Sequence, residues 1–219
     1  MLTKPKLSKR LQTIIDFVPQ ANIVADIGCD HAYVSISLVL NNKANHVIGV
    51  DNKLRPLRIA ERNVALFEMK ENVTLLRNPI DTITQPIDGC IIAGVGKESA
   101  VAMLDEFEST FQSSTWICIQ VNAKVIELRK HMVERGYRLI KETVVFDKAF
   151  YVILLYEKGI EHFSGVPLIV GPYITQNIEE NREYLNKVKE IAANFRLVAH
   201  DSSKQSMYAS IDDYLQGIL

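Results

Sequence analysis

The strongest constraint on this chain is an alternation. Short, nearly continuous apolar runs take turns with stretches of helical period. The runs are IVADI (23–27), HVIGVD (46–51), VTLL (73–76), GCIIAGVG (89–96) and WICIQ (116–120). A strand with one wet face alternates apolar and polar residues. These do not, so both of their faces must be covered. Leu57, Ala60, Val64 and Phe67 share one helical face, and further helices are expected over 7–18, 32–40, 99–107 and 124–135. Pro19 stops the first of these and Gly136 closes the last. Strands alternating with helices imply a parallel sheet with helices on both sides. The runs RLIKETVVFD (138–147) and FYVILLYE (150–157) break the series. Only Lys148-Ala149 separates them, so they must be antiparallel neighbours.

Past Pro167 the pattern changes. Ile178, Leu185, Ala192 and Ala199 fall seven apart, with Val188 and Phe195 between them, as in a coiled-coil-like seam. DSSKQ (201–205) reads as a turn, and Met207, Ile211, Tyr214 and Ile218 form the stripe of a returning helix. The chain thus divides into an α/β part, 1–160, and a helical part, 161–219. The helical part either packs on itself or grips a large substrate.

With 219 residues, 47% of them hydrophobic, a sizeable core is within reach. No apolar run attains the roughly 18 residues of a membrane span, and MLTKPKLSKRL is too poor in apolar residues for a signal peptide. A cytoplasmic protein, monomeric or weakly dimeric, is expected. Cys29, Cys90 and Cys118 are odd in number and far apart, each in an apolar or strand-like stretch, so they should be reduced and buried. No Cys/His spacing suggests a metal. The net charge of −1 does not mark the whole chain as a nucleic-acid binder, but Lys4, Lys6, Lys9 and Arg10 cluster without an acid. Residues 124–141 carry six Lys/Arg against Glu127 and Glu134. Solvated helix faces would account for both clusters equally well.

The junction VADIGCDHAYVSISLVL (24–40) is the most informative loop. Ligands of an open parallel sheet sit at the carboxyl ends of strands where the strand order reverses. A dinucleotide loop there would read G-x-G-x-x-G, so that a pyrophosphate could dock on a helix N-terminus. This loop has one glycine, Gly28, after Asp26, and Asp30 would repel a pyrophosphate. A carboxylate suits a ligand with positive groups, such as the ammonium and sulfonium of S-adenosylmethionine. Asp30 as an acidic cap of the next helix is the plainer alternative, compatible with binding. Asp51 ends the second strand, 23 residues after Gly28, where it can accept ribose hydroxyls of either NAD or S-adenosylmethionine. The final hairpin also favours the methyltransferase version of the sheet over the dehydrogenase version.

The stretch LSKRLQTIIDFVPQANIVADIGCDHAYVSISLVLNNKA (7–44), and above all its D-I-G-x-D-H-A-Y string, resembles the start of the bacterial tRNA adenine-22 N1-methyltransferase family (TrmK type). IIAGVGK (91–97) is similar to that family's A-G-M-G-G motif, IQVN (119–122) to its L-Q-P-N, and LIVGPY (168–173) to the start of its helical part. The resemblance implies a class I methyltransferase fold: a Rossmann-like, seven-stranded, mostly parallel sheet with a terminal antiparallel hairpin and a C-terminal helical extension. It implies S-adenosylmethionine as cofactor, tRNA as partner, and methylation of a D-arm adenine at N1. Four places depart from the family pattern: Asn78-Pro79-Ile80 for G-D-G, Lys97 for a glycine, Val121 for the proline of L-Q-P-N, and Leu54-Arg55-Pro56 for D-G-P. They leave open a second reading, a protein of this fold with altered or lost catalysis that binds RNA or protein.

Under the first reading the residues take roles. Asp26 and Gly28 end the first strand, and Gly28 lets the backbone approach the methionine part. Asp30 binds the ammonium or faces the substrate base, and Asp51 and Asn52 hold the ribose region. Asp81 stands in for the acid missing at 78–80. Gly94 and Gly96 shape the loop facing the target base, and Asn122 offers donor and acceptor to the base edge. Asp30 and Asn122 are the catalytic candidates. Arg10 locks Asp30, reaches the methionine carboxylate, or is a surface base. His31 belongs to the cofactor loop, more as a structural than a catalytic histidine. Tyr33 stacks on a base or packs, and Lys97 meets a phosphate or water.

Overall fold

The computed structural model describes residues 4–77, 86–198 and 201–219. The chain runs α1 (Lys9–Phe17), β1 (Ala21–Ile27), α2 (Tyr33–Leu40), β2 (Ala44–Val50), α3 (Leu54–Leu66), β3 (Val73–Leu76), β4 (Gly89–Val95), α4 (Lys97–Glu106), α5 (Glu108–Ser113), β5 (Trp116–Val121) and α6 (Val125–Glu134). Then come β6 (Tyr137–Asp147), β7 (Ala149–Lys158), α7 (Gly165–Val170), α8 (Pro172–Gln176), α9 (Ile178–Val198) and α10 (Ser202–Ile218). One seven-stranded sheet has the order β3-β2-β1-β4-β5-β7-β6. The first five strands are parallel, and β7 runs antiparallel to both β5 and β6. The Rossmann-like, mostly parallel sheet with a terminal hairpin is therefore the one expected. The hairpin turn is tighter than expected: Asp147 pairs with Ala149, and Lys148 alone, at φ +66°, makes the bend.

Covered strands explain the apolar runs. Ala25, Ile27, Ile48, Val50, Cys90 and Ile92 point to one side of the sheet, and Val24, Val47, Ile91 and Cys118 to the other. Each set anchors its own hydrophobic cluster. All three cysteines are buried thiols, as expected, and burial pushes Cys90 and Cys118 up to about 12. α1, capped by the Ser8 hydroxyl, buries Ile14, Ile15 and Phe17 on the second side. α5 was not anticipated. Phe107 ends α4 and begins α5, and both Phe107 and Phe111 are buried under the first side.

The helical part packs on that same first side. Leu185 and Ala192 of α9 and Ile211 and Leu215 of α10 join the cluster built on β1, β4 and β5. Arg182 near the start of α9 donates to the backbone carbonyl of Leu219, while Arg196 pairs with Asp212, so the two helices are antiparallel. Ile178 and Val188 lie along the seam, Phe195 stacks on Tyr208 at 5.0 Å, and Ala199 lies outside the described residues. Among the described residues no helix is long and apolar enough to cross a membrane.

A buried ion pair joins the helical part to the sheet. Arg129 on α6 donates to Glu142 on β6 at 2.6 Å, with both side chains almost wholly buried. The other arm of the guanidinium donates to the carbonyl of Ile169 at the end of α7 (2.8 Å). The second Glu142 oxygen accepts the N–H groups of Tyr173 and Ile174, at 2.8 and 3.2 Å, at the start of α8. The chain turns between α7 and α8 at Gly171, at φ +127°. A Cβ there would lie 2.9 Å from both Arg129 Nη2 and Glu142 Oε1, so the LIVGPY glycine leaves room for the pair. Removing one partner of such a pair strands the other charge. Arg129→Met should cost about 3–5 kcal/mol, and Gly171→Ala about 1–3 kcal/mol from backbone strain alone. Both are read as lowered midpoints in urea unfolding.

Candidate active site

The strand order reverses between β1 and β4, the place where open parallel sheets hold ligands. A cavity of about 390 Å³ opens there, lined by residues from the ends of β1, β2 and β4 and from α1 and α4. Its volume falls in the usual range for small-molecule sites. Arg10, Asp26, Gly28, Asp30, His31, Asp51, Asn52 and Gly94, all singled out from the sequence, line this one cavity, as does Tyr33. Gly96 and Asn122 are not among its lining residues. Asp81 lies outside the described residues, as does the Asn78-Pro79-Ile80 substitution.

The first loop is tightly wound. Gly28, Asp30 and Ala32 all have left-handed backbones, at φ +79°, +49° and +58°. Ala32 in that conformation is strained by about 1–3 kcal/mol, a cost met where structure serves a site. Neighbouring groups hold the winding. The N–H groups of Gly28 and Cys29 both donate to the carbonyl of Val50, at 2.8 and 2.9 Å. Asp51 Oδ2 accepts the N–H of Asp30 at 3.2 Å, and Oδ1 accepts the N–H of Lys53 at 2.8 Å. Asn63 of α3 donates to the carbonyl of His31 at 2.9 Å. The His31 ring stands 3.5 Å from the Asp30 carboxylate and edge-on to Tyr33, a partner of loop side chains. A Cβ on Gly28 would come within 3.3 Å of Met103 Cε, narrowing the cavity between the loop and α4.

Acids dominate the lining: Asp26, Asp30, Asp51 and Glu106, against Arg10 and Lys53. Asp26 is 3% exposed and accepts the Ser35 hydroxyl at 2.6 Å. Burial, with the nearby charges of Asp51 and Asp30, raises its pKa from the ordinary 3.8 to about 6. The cavity is therefore made for a ligand that carries positive charge.

Arg10 does not lock Asp30. Its guanidinium donates to the Gln120 side-chain oxygen and lies over the Tyr151 ring, 5.3 Å from the centroid. Its backbone N–H donates to Asp147 at the tip of the β6–β7 hairpin (3.1 Å). The same Gln120 oxygen accepts the N–H of Gly94 at 3.1 Å. Asn122 donates its amide to the carbonyl of Gly94 at 2.9 Å, so it braces the β4 loop from outside the cavity. Gly94 is held at φ +77°, where a Cβ would lie 3.1 Å from Arg10 Nη1. Gln120 escaped notice in the sequence, although a polar residue ending an apolar strand was the available signal. Pro56, from one of the four departures, lines the cavity, and so do Cys29, Met103, Glu106 and Phe107, which no motif marked as site residues. Lys97 begins α4 and is not among the lining residues. No group of three or more metal-ligating side chains occurs among the described residues.

Comparison with known proteins identifies the family of this fold. Residues 7–154 match the family model described as a methyltransferase domain. The chain is 29% identical over 191 residues to the Bacillus subtilis (strain 168) tRNA (adenine(22)-N(1))-methyltransferase, covering 83% of this chain and 79% of that one. Its fold matches that of M. capricolum TrmK in complex with S-adenosyl-homocysteine, with a TM-score of 0.84, 24% identity and 97% and 99% of the two chains covered. It also matches Streptococcus pneumoniae Sp1610 in complex with S-adenosyl-L-methionine, with a TM-score of 0.82, 23% identity and 98% and 100% covered. The chain belongs to the methyltransferase-domain family, and the relatives it is similar to are of TrmK type.

Proposed function

We propose that this protein transfers the methyl group of S-adenosylmethionine to N1 of an adenine in tRNA, at position 22 in the D-arm. The observation that carries the reading is the charge layout of the cavity at the strand-order reversal. Asp26, Asp30 and Asp51 gather on the β1–β2 side, and Arg10 stands on the β4 side. A ligand with a cationic sulfonium and ammonium, a ribose diol and one carboxylate matches that layout. Bound S-adenosylmethionine supplies an electrophilic methyl group. Gly28, without a side chain, lets the loop backbone approach the methionine moiety. The two Asp51 oxygens, each already accepting one backbone N–H, keep lone pairs for the ribose hydroxyls, with Asn52 beside them. Asp30 offers its exposed carboxylate to the ammonium or to the substrate base. Arg10 takes the carboxylate.

Adenine N1 has an in-plane lone pair and no proton, so no residue need act as a general base. The protein has to place the base, and proximity and orientation can supply on the order of 7–11 kcal/mol of the barrier. N1 lies on the pairing edge, so the base must leave any pair it is in, at a cost of a few kcal/mol. The β4 loop, held by Gln120 and Asn122, is the rigid wall against which it would be set. The methylated adenine is cationic, and the acids around Gly28 oppose that charge. In this reading residues 1–160 carry out methyl transfer, 161–219 help hold the tRNA, and the protein works in the cytoplasm as a monomer or weak dimer.

Calorimetry is expected to show micromolar S-adenosylmethionine binding, weakened about tenfold or more, roughly 1.4 kcal/mol, by Asp51→Ala. Absence of binding to folded protein, with or without tRNA, would favour the binding-module reading instead. A cationic ligand favours the Asp26 carboxylate over its protonated form. Affinity should therefore fall as pH drops through about 6, and binding near pH 6 should release protons. The release appears as a binding enthalpy that depends on the buffer, and it should be smaller for S-adenosylhomocysteine, which lacks the sulfonium. Methylation of transcribed tRNA should yield 1-methyladenine, and replacing A22 by guanine in the transcript should abolish it.

A further inference from the structure

Gln120 is fully buried at the carboxyl end of β5, at 0% exposure, and its side-chain oxygen accepts from a cation, Arg10, and from the backbone of Gly94. The usual counter-ion for a cation half-sunk in protein is a carboxylate, which here would have the same shape as the glutamine. Among the described residues no carboxylate lies within 4.0 Å of the Arg10 guanidinium. Asp147 hydrogen-bonds its backbone N–H and acts on the guanidinium only as a nearby charge beyond ion-pair distance. The rest of its surroundings is the face of Tyr151, which attracts a cation without neutralising it. Arg10 thus keeps its charge on the wall of a cavity whose other charged side chains are mainly acidic.

We infer that Gln120 is a positioning residue whose neutrality serves binding: it aims Arg10 into the cavity by a hydrogen bond while leaving the guanidinium charge for the carboxylate of the cofactor's methionine part. The inference rests on the reading that S-adenosylmethionine or its product fills the cavity. Through Gly94 the same amide oxygen ties that clamp to the β4 loop, so the two walls keep a fixed spacing.

The test is Gln120→Glu, which preserves size and the oxygen that accepts from Arg10 and Gly94, gives up the Nε2 donor that faces Asn122 Oδ1 at 3.4 Å, and supplies a counter-ion. A purely structural glutamine would tolerate this change, and the new ion pair with Arg10 would hold the thermal midpoint level or raise it. The inference predicts that the midpoint is kept while S-adenosylhomocysteine binds about tenfold or more weakly. Methylthioadenosine has the same nucleoside without the amino acid, so its dissociation constant should stay within about twofold of the wild type. Gln120→Met, which removes the acceptor, should weaken S-adenosylhomocysteine and again spare methylthioadenosine. Equal losses for both ligands, or unchanged binding of both in Gln120→Glu, would overturn the inference. A wild-type protein that binds neither ligand would instead sink the cofactor reading itself, and the inference with it.

Discussion

Everything at the cavity depends on the reversal of strand order beside β1. β1 has β2 on one side and β4 on the other, so the chain leaves its carboxyl end in one direction and later returns on the opposite side. The segments after β1, β2 and β4 cannot close over that point, and a crevice is unavoidable. Local interactions then decide what the crevice accepts. The carbonyl of Val50 gathers the N–H groups of Gly28 and Cys29, and Asp51 takes that of Asp30, so the loop after β1 is strapped to the end of β2. On the other side Gln120 of β5 and Asn122 just after it hold both backbone groups of Gly94. Each wall of the crevice is fixed by the strand beyond it.

The second organising contact is polar. Arg129 and Glu142 bring together α6, β6, the end of α7 and the start of α8, with Gly171 making the room. Two well-packed apolar residues could stabilise this spot as well as the ion pair does. The pair adds direction: its donors and acceptors meet backbone groups at two helix ends, which sets the angle at which α7 and α8 lead into the long helices. A greasy contact would allow more than one such angle.

How legible this was from sequence depended on the range of the interaction. Strands covered on both faces show as apolar runs, so β1 to β5 stood out, and a connection as short as Lys148-Ala149 left the hairpin no other pairing. α5 was missed because ESTFQS has no repeating apolar face, and its burial comes from Phe107 and Phe111 meeting the sheet. The acids and Gly28 belong to short motifs, where one loop carries its own chemistry. Gln120 shows only as a polar residue ending an apolar strand, since the partners that give it a role are 110 and 26 residues away. Asn122 was legible as a polar residue after β5, but the engagement of its amide by Gly94 is a fact of packing.

The place of β7 has a consequence for how the molecule comes into being. β7 lies between β5 and β6, so β6 touches the sheet only through a strand that follows it in the chain. During synthesis β5 must wait with an unsatisfied edge until Ile153–Tyr156 have emerged, and the hairpin must form before or as it docks. The tip of that hairpin carries Asp147, which receives the backbone of Arg10. The helix before β1 is thus fastened by nearly the last strand of the sheet. Until the hairpin docks, the Arg10 wall of the crevice lacks its hold on Asp147, so the crevice is completed only as the sheet closes.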